Sequence, residues 1–348
     1  MLTVIGEALI DEVVHPGAQP VPHVGGSPLN VAVGLARLGH PVQFLGRYGQ
    51  DAYGVLVSSH LHDNHVLVPL APDAKPTSVA RAVLDGDGAA SYEFALDWEL
   101  PALAADAGAA SGTAGAAGSA TAARPHFMLA SSTLVHTGSI AAMLAPGADQ
   151  VLAAVRAAHP HATISYDPNA RPSIITDVDY AREQAEKFVR LADVVKASDE
   201  DLAWLYPGVD PLDSARRWLD INGAPSAGSS RPGTVRDTGR AGGPAVVVVT
   251  RGSGGPWAVC AAGEVQCQVP ATEVVDTVGA GDSFMAALLS AVVDRELDGA
   301  QRREELRAIS AEELGTVLRY AARAAAITVS RAGANPPSRT ELHTAPTS

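Results

Sequence analysis

Lysine is close to absent from this chain. Among 348 residues only Lys75, Lys187 and Lys196 carry an ammonium, and none stands in a G-x-x-x-x-G-K-[ST] loop. A P-loop nucleotide site is therefore excluded. Basic residues are scarce in general: 25 Lys and Arg face 38 Asp and Glu, for a net charge of −13. That balance argues against a nucleic-acid partner or an anionic membrane surface. It also keeps a soluble protein soluble. Cysteine is limited to Cys260 and Cys267, whose spacing suits neither a metal site nor a redox pair. They read as free thiols in a reducing cytosol. No apolar run is long enough to span a bilayer. The N-terminus enters Leu2-Thr3-Val4-Ile5 without the basic region of a secretory leader. A cytoplasmic protein is expected. Also missing are the His-Arg-Asp loop of protein kinases, an H-E-x-x-H zinc motif, and a G-x-G-x-x-G after the first strand.

What is present alternates. Hydrophobic residues make up 47%, enough for a packed core in one large α/β domain or two modest ones. Strand signals fall at 2–5, 42–46, 162–166, 192–196 and 244–250. Helix signals fall at 28–38, 51–61, 140–158, 178–191, 281–294 and 311–329. This order predicts a doubly wound, mostly parallel sheet with helices on both faces. At 28–38, Ser27 suits the N-cap, Pro28 the first turn and Gly39 the stop. Residues 76–96 break the pattern. They read as two strands joined by Asp85-Gly86-Asp87-Gly88, a hairpin signal. With residues 12–24 they predict a small separate sheet, a candidate lid. Residues 102–124 and 223–243 are low in complexity and read as flexible insertions.

The chemistry concentrates in Asp276-Thr277-Val278-Gly279-Ala280-Gly281-Asp282, directly before an apolar helix. Small residues let a backbone approach a ligand closely, and free N–H groups at a helix start attract anions. Asp282 beside such a site repels a phosphate unless it has a task. Taking the proton of an attacking hydroxyl is that task. Taken alone, the same segment also reads as a turn with a capping acid. Five further segments reduce that share. Gly25-Gly26-Ser27-Pro28-Leu29-Asn30 offers a hinge, and an amide in the first helical turn. Gly6-Glu7-Ala8-Leu9-Ile10-Asp11 follows the first strand, where open α/β sheets bind ligands. Asp11 suits vicinal hydroxyls. Asp167-Pro168-Asn169-Ala170-Arg171 brings a guanidinium suited to phosphate or carboxylate. Ser198-Asp199-Glu200-Asp201 opens a helix with acids that could serve magnesium or simply the helix dipole. Thr250-Arg251-Gly252-Ser253-Gly254-Gly255 follows the most apolar strand and could admit nucleotide phosphates.

In this order the six segments resemble the ribokinase-like (PfkB) carbohydrate kinases over nearly the whole chain, 1–340, apart from the two insertions. The run Gly25–Gly39 looks like that family's N-terminal signature and Asp276–Asp282 like its C-terminal one. The resemblance implies a ribokinase-like fold with a β-sheet lid and an ATP-dependent phosphotransferase acting on a sugar hydroxyl. It makes Asp282 the base and the N–H groups of Gly279, Ala280 and Gly281 the anion hole, with Arg171 offsetting phosphate charge. It places Asp11, Gly26, Asn30, Tyr92, Phe94 and Arg171 around the sugar. Ser198, Thr250, Gly252 and Gly255 fall along the ATP site, which Gly279 and Gly281 also face. Magnesium is assigned to Asp201, which stands where the family often has Glu, with Glu200 and Asp199 as alternatives. A monovalent cation such as K⁺ is assigned to Asp276, opposite the loop around Gly333-Ala334. A homodimer through the lids is also implied. Among acceptors, bacterial fructokinases look most similar. A 2-keto-3-deoxygluconate kinase is the main rival, ribokinase and nucleoside kinases stay open, and a sugar-binding regulator without catalysis is the reading from another class.

Overall fold

The structure is a computed structural model that describes residues 1–14, 20–84, 90–100, 128–223 and 243–344. The expected insertions and the hairpin tip at 85–89 fall outside the described residues, except for residues 223 and 243.

Among the described residues, twelve strands form two sheets. Strands β1 (Leu2–Ile5), β2 (Leu9–Val14), β3 (Val21–Gly25), β4 (Val42–Leu45), β5 (Ser78–Leu84) and β6 (Ala90–Ala95) come first. Then follow β7 (Leu134–Gly138), β8 (Thr163–Asp167), β9 (Val194–Ser198), β10 (Val246–Thr250), β11 (Trp257–Cys260) and β12 (Gly263–Gln266). The main sheet runs β12-β11-β10-β9-β8-β7-β1-β4. It is parallel from β10 to β4, and β11 and β12 pair antiparallel at one edge.

The helices are α1 (Ser27–Arg37), α2 (Ala52–Asp63), α3 (Gly147–Ala158), α4 (Val178–Val189), α5 (Asp199–Leu205), α6 (Pro211–Leu219), α7 (Ala280–Val293), α8 (Arg303–Arg307), α9 (Ala311–Val329) and α10 (Arg339–Thr344). Alternation along β10 shows why both sheet faces must be covered. Val246 and Val248 join the core beneath α1, α7 and α9, whereas Val247 and Val249 join the core beneath α3 to α6. A strand apolar at every position is what a sheet buried on both sides requires. Helix α7 is buried along almost its whole length and packs between α1 and α9.

The second sheet, β3-β2-β5-β6, is the predicted one. It begins earlier than expected, because β2 starts at Leu9 and carries Asp11. Its base is anchored by two polar knots. The buried Arg47 guanidinium grips Asp73 with two bonds of 2.8 and 2.7 Å and donates to the carbonyls of Pro76 and Asp97. Asp51 caps α2 and accepts from the N–H and Oγ of Thr77.

Three expectations need correction. The helix at 140–158 is a short 3-10 turn, Ser139–Ala142, followed by α3. Pro146, which has no N–H to donate, stands at the break. Strand β7 carries no clear strand signal, since His136 and Thr137 read as polar. Both are buried at the sheet centre. Ser27 is not the N-cap of α1. Gly26, at φ +111°, holds that position, and the Ser27 hydroxyl is used elsewhere. Cys260 and Cys267 are both buried free thiols. Among the described residues no helix is long and apolar enough to cross a membrane.

Candidate active site

The carboxyl ends of β1, β7 and β8 open toward the second sheet, and a cleft of about 590 Å³ lies between them. It brings together groups distant in sequence: Asp11 and Phe94 from the second sheet, Gly26 and Asn30 from α1, Arg171 after β8, and Gly279, Gly281 and Asp282 at the start of α7.

Asp282 is buried, and its carboxylate is clamped. The Ser27 hydroxyl donates to Oδ1 at 2.7 Å and the Asn30 amide to Oδ2 at 2.9 Å. Two donors on two oxygens fix the plane of the carboxylate and leave a further lone pair on each oxygen. Gly279 caps α7 in the left-handed region, at φ +73°. Any Cβ there would lie 2.6 Å from the Cβ of Ala334. The predicted anion hole is narrower than expected. The Ala280 N–H already donates to the Thr277 carbonyl at 3.2 Å. The N–H groups of Gly279 and Gly281 meet no acceptor among the described residues.

Asp11 sits at the cleft rim, opposite His23 on β3. Desolvation pushes its carboxyl up, Arg171 and His23 oppose that, and Asp282 adds to it. Arg171 is exposed and rests on its own loop, donating to the Asn169 side chain at 2.6 Å and to backbone carbonyls. It makes no ion pair with a described residue. The backbones of Asn169 and Ser139, both lining the cleft, are left-handed at φ +36° and +54°. Such strain in non-glycine residues is characteristic of ligand sites. Tyr92 lies in β6, and its side chain is outside what the structure describes.

Sequence reasoning passed over Glu7. Its segment points to Asp11, yet Glu7, like Asp282, is a buried acid of the cleft wall. Burial pushes its carboxyl up to about 7, against hydrogen bonds from its own backbone, Ser139 and Ala141 and the charge of Arg171. Its signal was available: an acid one residue past an apolar strand lies at the ligand edge of the sheet.

Of the residues assigned to ATP, Gly279 and Gly281 line this cleft, whereas Ser198, Thr250, Gly252 and Gly255 do not. Ser198 and Thr250 are paired neighbours at the ends of β9 and β10, along the same sheet edge. Gly252 and Gly255 follow in the next turn, both at positive φ. Asp201, the residue assigned to magnesium, is engaged by backbone donors. It completes a capping box with Ser198, and its two oxygens accept the backbone N–H groups of Ser198 and Ala170 at 2.8 and 2.7 Å. Asp276 does meet the predicted loop. It accepts from Val278 N and from Gly333 N, at 3.0 and 2.8 Å, and these bonds hold its carboxyl below the usual range.

Comparison with known proteins agrees with this geometry. The model of the pfkB family carbohydrate kinases matches residues 1–341. The chain belongs to that family. It is 30% identical over 347 residues to a probable fructokinase-4 of Arabidopsis thaliana, covering 97% of this chain and 90% of that one. It is 29% identical over 301 residues to a fructokinase of Klebsiella pneumoniae, covering 82% of each. Among solved structures, a fructokinase of Xylella fastidiosa with bound ATP superposes with a TM-score of 0.77 at 25% identity, over 99% of this chain and 97% of that one. The protein is a carbohydrate kinase with the ribokinase fold, a phosphotransferase to an alcohol group.

Proposed function

We propose that this carbohydrate kinase is an ATP-dependent fructokinase, and that the second sheet closes its sugar site as a lid. The observation that carries the reading is the clamped Asp282 carboxylate at the start of α7, facing a cleft that also holds Asp11 and Asn30. Three carboxyl groups, of Glu7, Asp11 and Asp282, line the cleft against the single guanidinium of Arg171. Asp11 and Asp282 alone outnumber that guanidinium even where burial keeps Glu7 protonated, and this balance favours a neutral sugar over an anionic sugar acid such as 2-keto-3-deoxygluconate. The names of the relatives above point the same way.

In the reaction a sugar hydroxyl oxygen forms a bond to the γ-phosphorus of ATP. The bond from that phosphorus to the β–γ bridging oxygen breaks, and ADP leaves with the electron pair. The hydroxyl proton passes to an Asp282 oxygen. Phosphoryl transfer has a loose transition state, so orientation and charge carry most of the acceleration. Ser27 and Asn30 aim the base. The N–H groups of Gly279 and Gly281 and the helix dipole meet the charge on the transferring group. Arg171, in no ion pair among the described residues, is available to the phosphates or the sugar. Apolar Phe94 and Leu96 from the lid exclude water, which would otherwise compete as acceptor.

ATP is expected along the ends of β9 and β10, where Ser198 and Thr250 are paired neighbours on the sheet edge, and the similar Xylella fastidiosa fructokinase has bound ATP. Among the described residues no three His, Cys, Asp or Glu side chains converge as a metal nest. Magnesium would thus be held mainly by the nucleotide's phosphates, whose charge it offsets. Asp276, kept ionised beside the Gly333 loop, suits a monovalent cation.

Coupled ADP-release assays over fructose, ribose, 2-keto-3-deoxygluconate and adenosine test the reading. Fructose should give the highest kcat/KM, and Asp282→Asn should lower kcat by at least ~10²-fold with ATP affinity largely kept. A preference for another acceptor would overturn the fructokinase reading. A near-normal rate in the variant would overturn the base.

A further inference from the structure

Lys196 is the one lysine inside the protein. Its side chain is 4% exposed, against 47% for Lys75 and 35% for Lys187. It stands on β9 between Val195 and Ala197, which face the core beneath α3 to α6. Alternation therefore sends Lys196 to the other face, toward α7. There the ammonium reaches the start of that helix. A Cβ added to Gly281 would lie 3.1 Å from Lys196 Nζ. Gly281 itself lines the cleft and presents one of the free N–H groups. A buried cation thus sits directly behind the turn that receives the phosphoryl group.

The ammonium is held rather than left to wander. Its recorded acceptor is Asp167 Oδ2 at 2.7 Å, a side chain 1% exposed. The other oxygen of Asp167 accepts the Asn169 N–H. Asp201 on α5 and Asp282 on α7 also bear on the ammonium. Burial works against the charged form, and the three carboxylates more than offset it, so Lys196 stays charged. His136 on β7 faces the same charge, but burial first and Lys196 second push it down to about 3, so it is neutral.

Burying an ion pair rarely adds stability, since desolvation consumes what the attraction returns. An apolar pair would fill the same space. A cation kept in this place therefore needs a second reason, and the turn supplies it. We propose that Lys196, anchored by Asp167, supplies a fixed positive charge behind the Gly279–Asp282 turn that offsets the negative charge of the phosphates bound in front of it. The inference rests on the kinase reading above. Lys196 acts through the turn and is a positioning charge, not a group that touches the sugar.

The test compares wild type with Lys196→Met, Asp167→Asn and the double variant Asp167→Asn/Lys196→Met. The readouts are thermal midpoint, calorimetric affinity for an ATP analogue with an uncleavable β–γ bridge, and kcat and KM with the best acceptor sugar. Lys196→Met should lose ~10²-fold in kcat and ~10-fold in analogue affinity, with the sugar KM within about twofold. The double variant removes the unpaired acid, so its thermal midpoint should recover while kcat and affinity do not. Recovery of both kcat and affinity in the double variant would overturn the inference, because Lys196 would then serve only Asp167. An unaffected Lys196→Met would overturn it equally. Wild type that neither binds the analogue nor phosphorylates a sugar would instead defeat the kinase reading, and this inference with it.

Discussion

Replacing Glu7 by Gln should make the protein more stable at pH 8 and change little near pH 5. The wild-type acid is 3% exposed and accepts the Ala141 N–H at 3.2 Å. Burial raises its carboxyl from 4.5 to about 7. The folded state therefore holds this proton more tightly than the unfolded chain does. The stabilising contribution is complete below pH 4.5 and is lost as pH rises through about 7. Working the two titrations against each other gives a change on the order of 2–3 kcal/mol between pH 5 and pH 8. Gln stays neutral throughout and can still accept from Ala141. Urea unfolding of both proteins at pH 5, 6, 7 and 8 measures the difference directly. Asp167, which burial raises to about 6, titrates in the same window in both proteins and cancels. The free-energy difference should move toward the Gln variant by that amount, mostly between pH 5 and 7. A difference that does not change with pH would refute the reasoning, since Glu7 would then be ionised in both states.

Two further outcomes follow from the same structure. Gly25→Ala would place a Cβ 2.1 Å from Asp11 Oδ2. Displacing that carboxylate should raise the sugar KM by ~10-fold or more, the worth of a charged hydrogen bond, with the ATP KM unchanged. Equal effects on both constants would mean that Asp11 does not hold the sugar. Asp201→Asn keeps one acceptor oxygen and loses one of the two backbone bonds, from Ser198 N or Ala170 N, which should cost ~1–2 kcal/mol in unfolding free energy with the magnesium dependence of the rate unaltered. A shifted magnesium dependence at unchanged stability would restore the metal role to Asp201.

Much of the site could be read without coordinates. The Gly279–Asp282 turn opens a helix, Asn30 lies in the first turn of α1 and Arg171 follows β8, as local signals put them, because helix starts and strand ends are legible over a few residues. Asp11 instead lies within β2 of the second sheet. The second sheet was legible from its alternation and its turn residues. Strand β7 was not. With His136 and Thr137 in five residues it resembles a loop, and only the neighbours on both faces of the sheet bury it. Helix α3 is shorter than 140–158, because the apolar run 140–145 continues the helical pattern only up to Pro146, where the backbone breaks for want of an N–H.

Composition and local pattern, by themselves, determined the α/β class, the glycine-rich turn at the start of α7 and the acid beside it. These depend on backbone conformation and helix ends, which short stretches of chain set. Tertiary structure alone decided what each side chain faces. It turned Ser27 from a cap into a clamp on Asp282, across 255 positions of chain. It put Asp201 on backbone N–H groups of its own cap and of the Asp167–Arg171 loop, made Glu7 a buried wall of the cleft, and set Lys196 behind Gly281. Charge, burial and hydrogen bonding are properties of neighbours in space. In a doubly wound sheet those neighbours come from strands far apart in the chain.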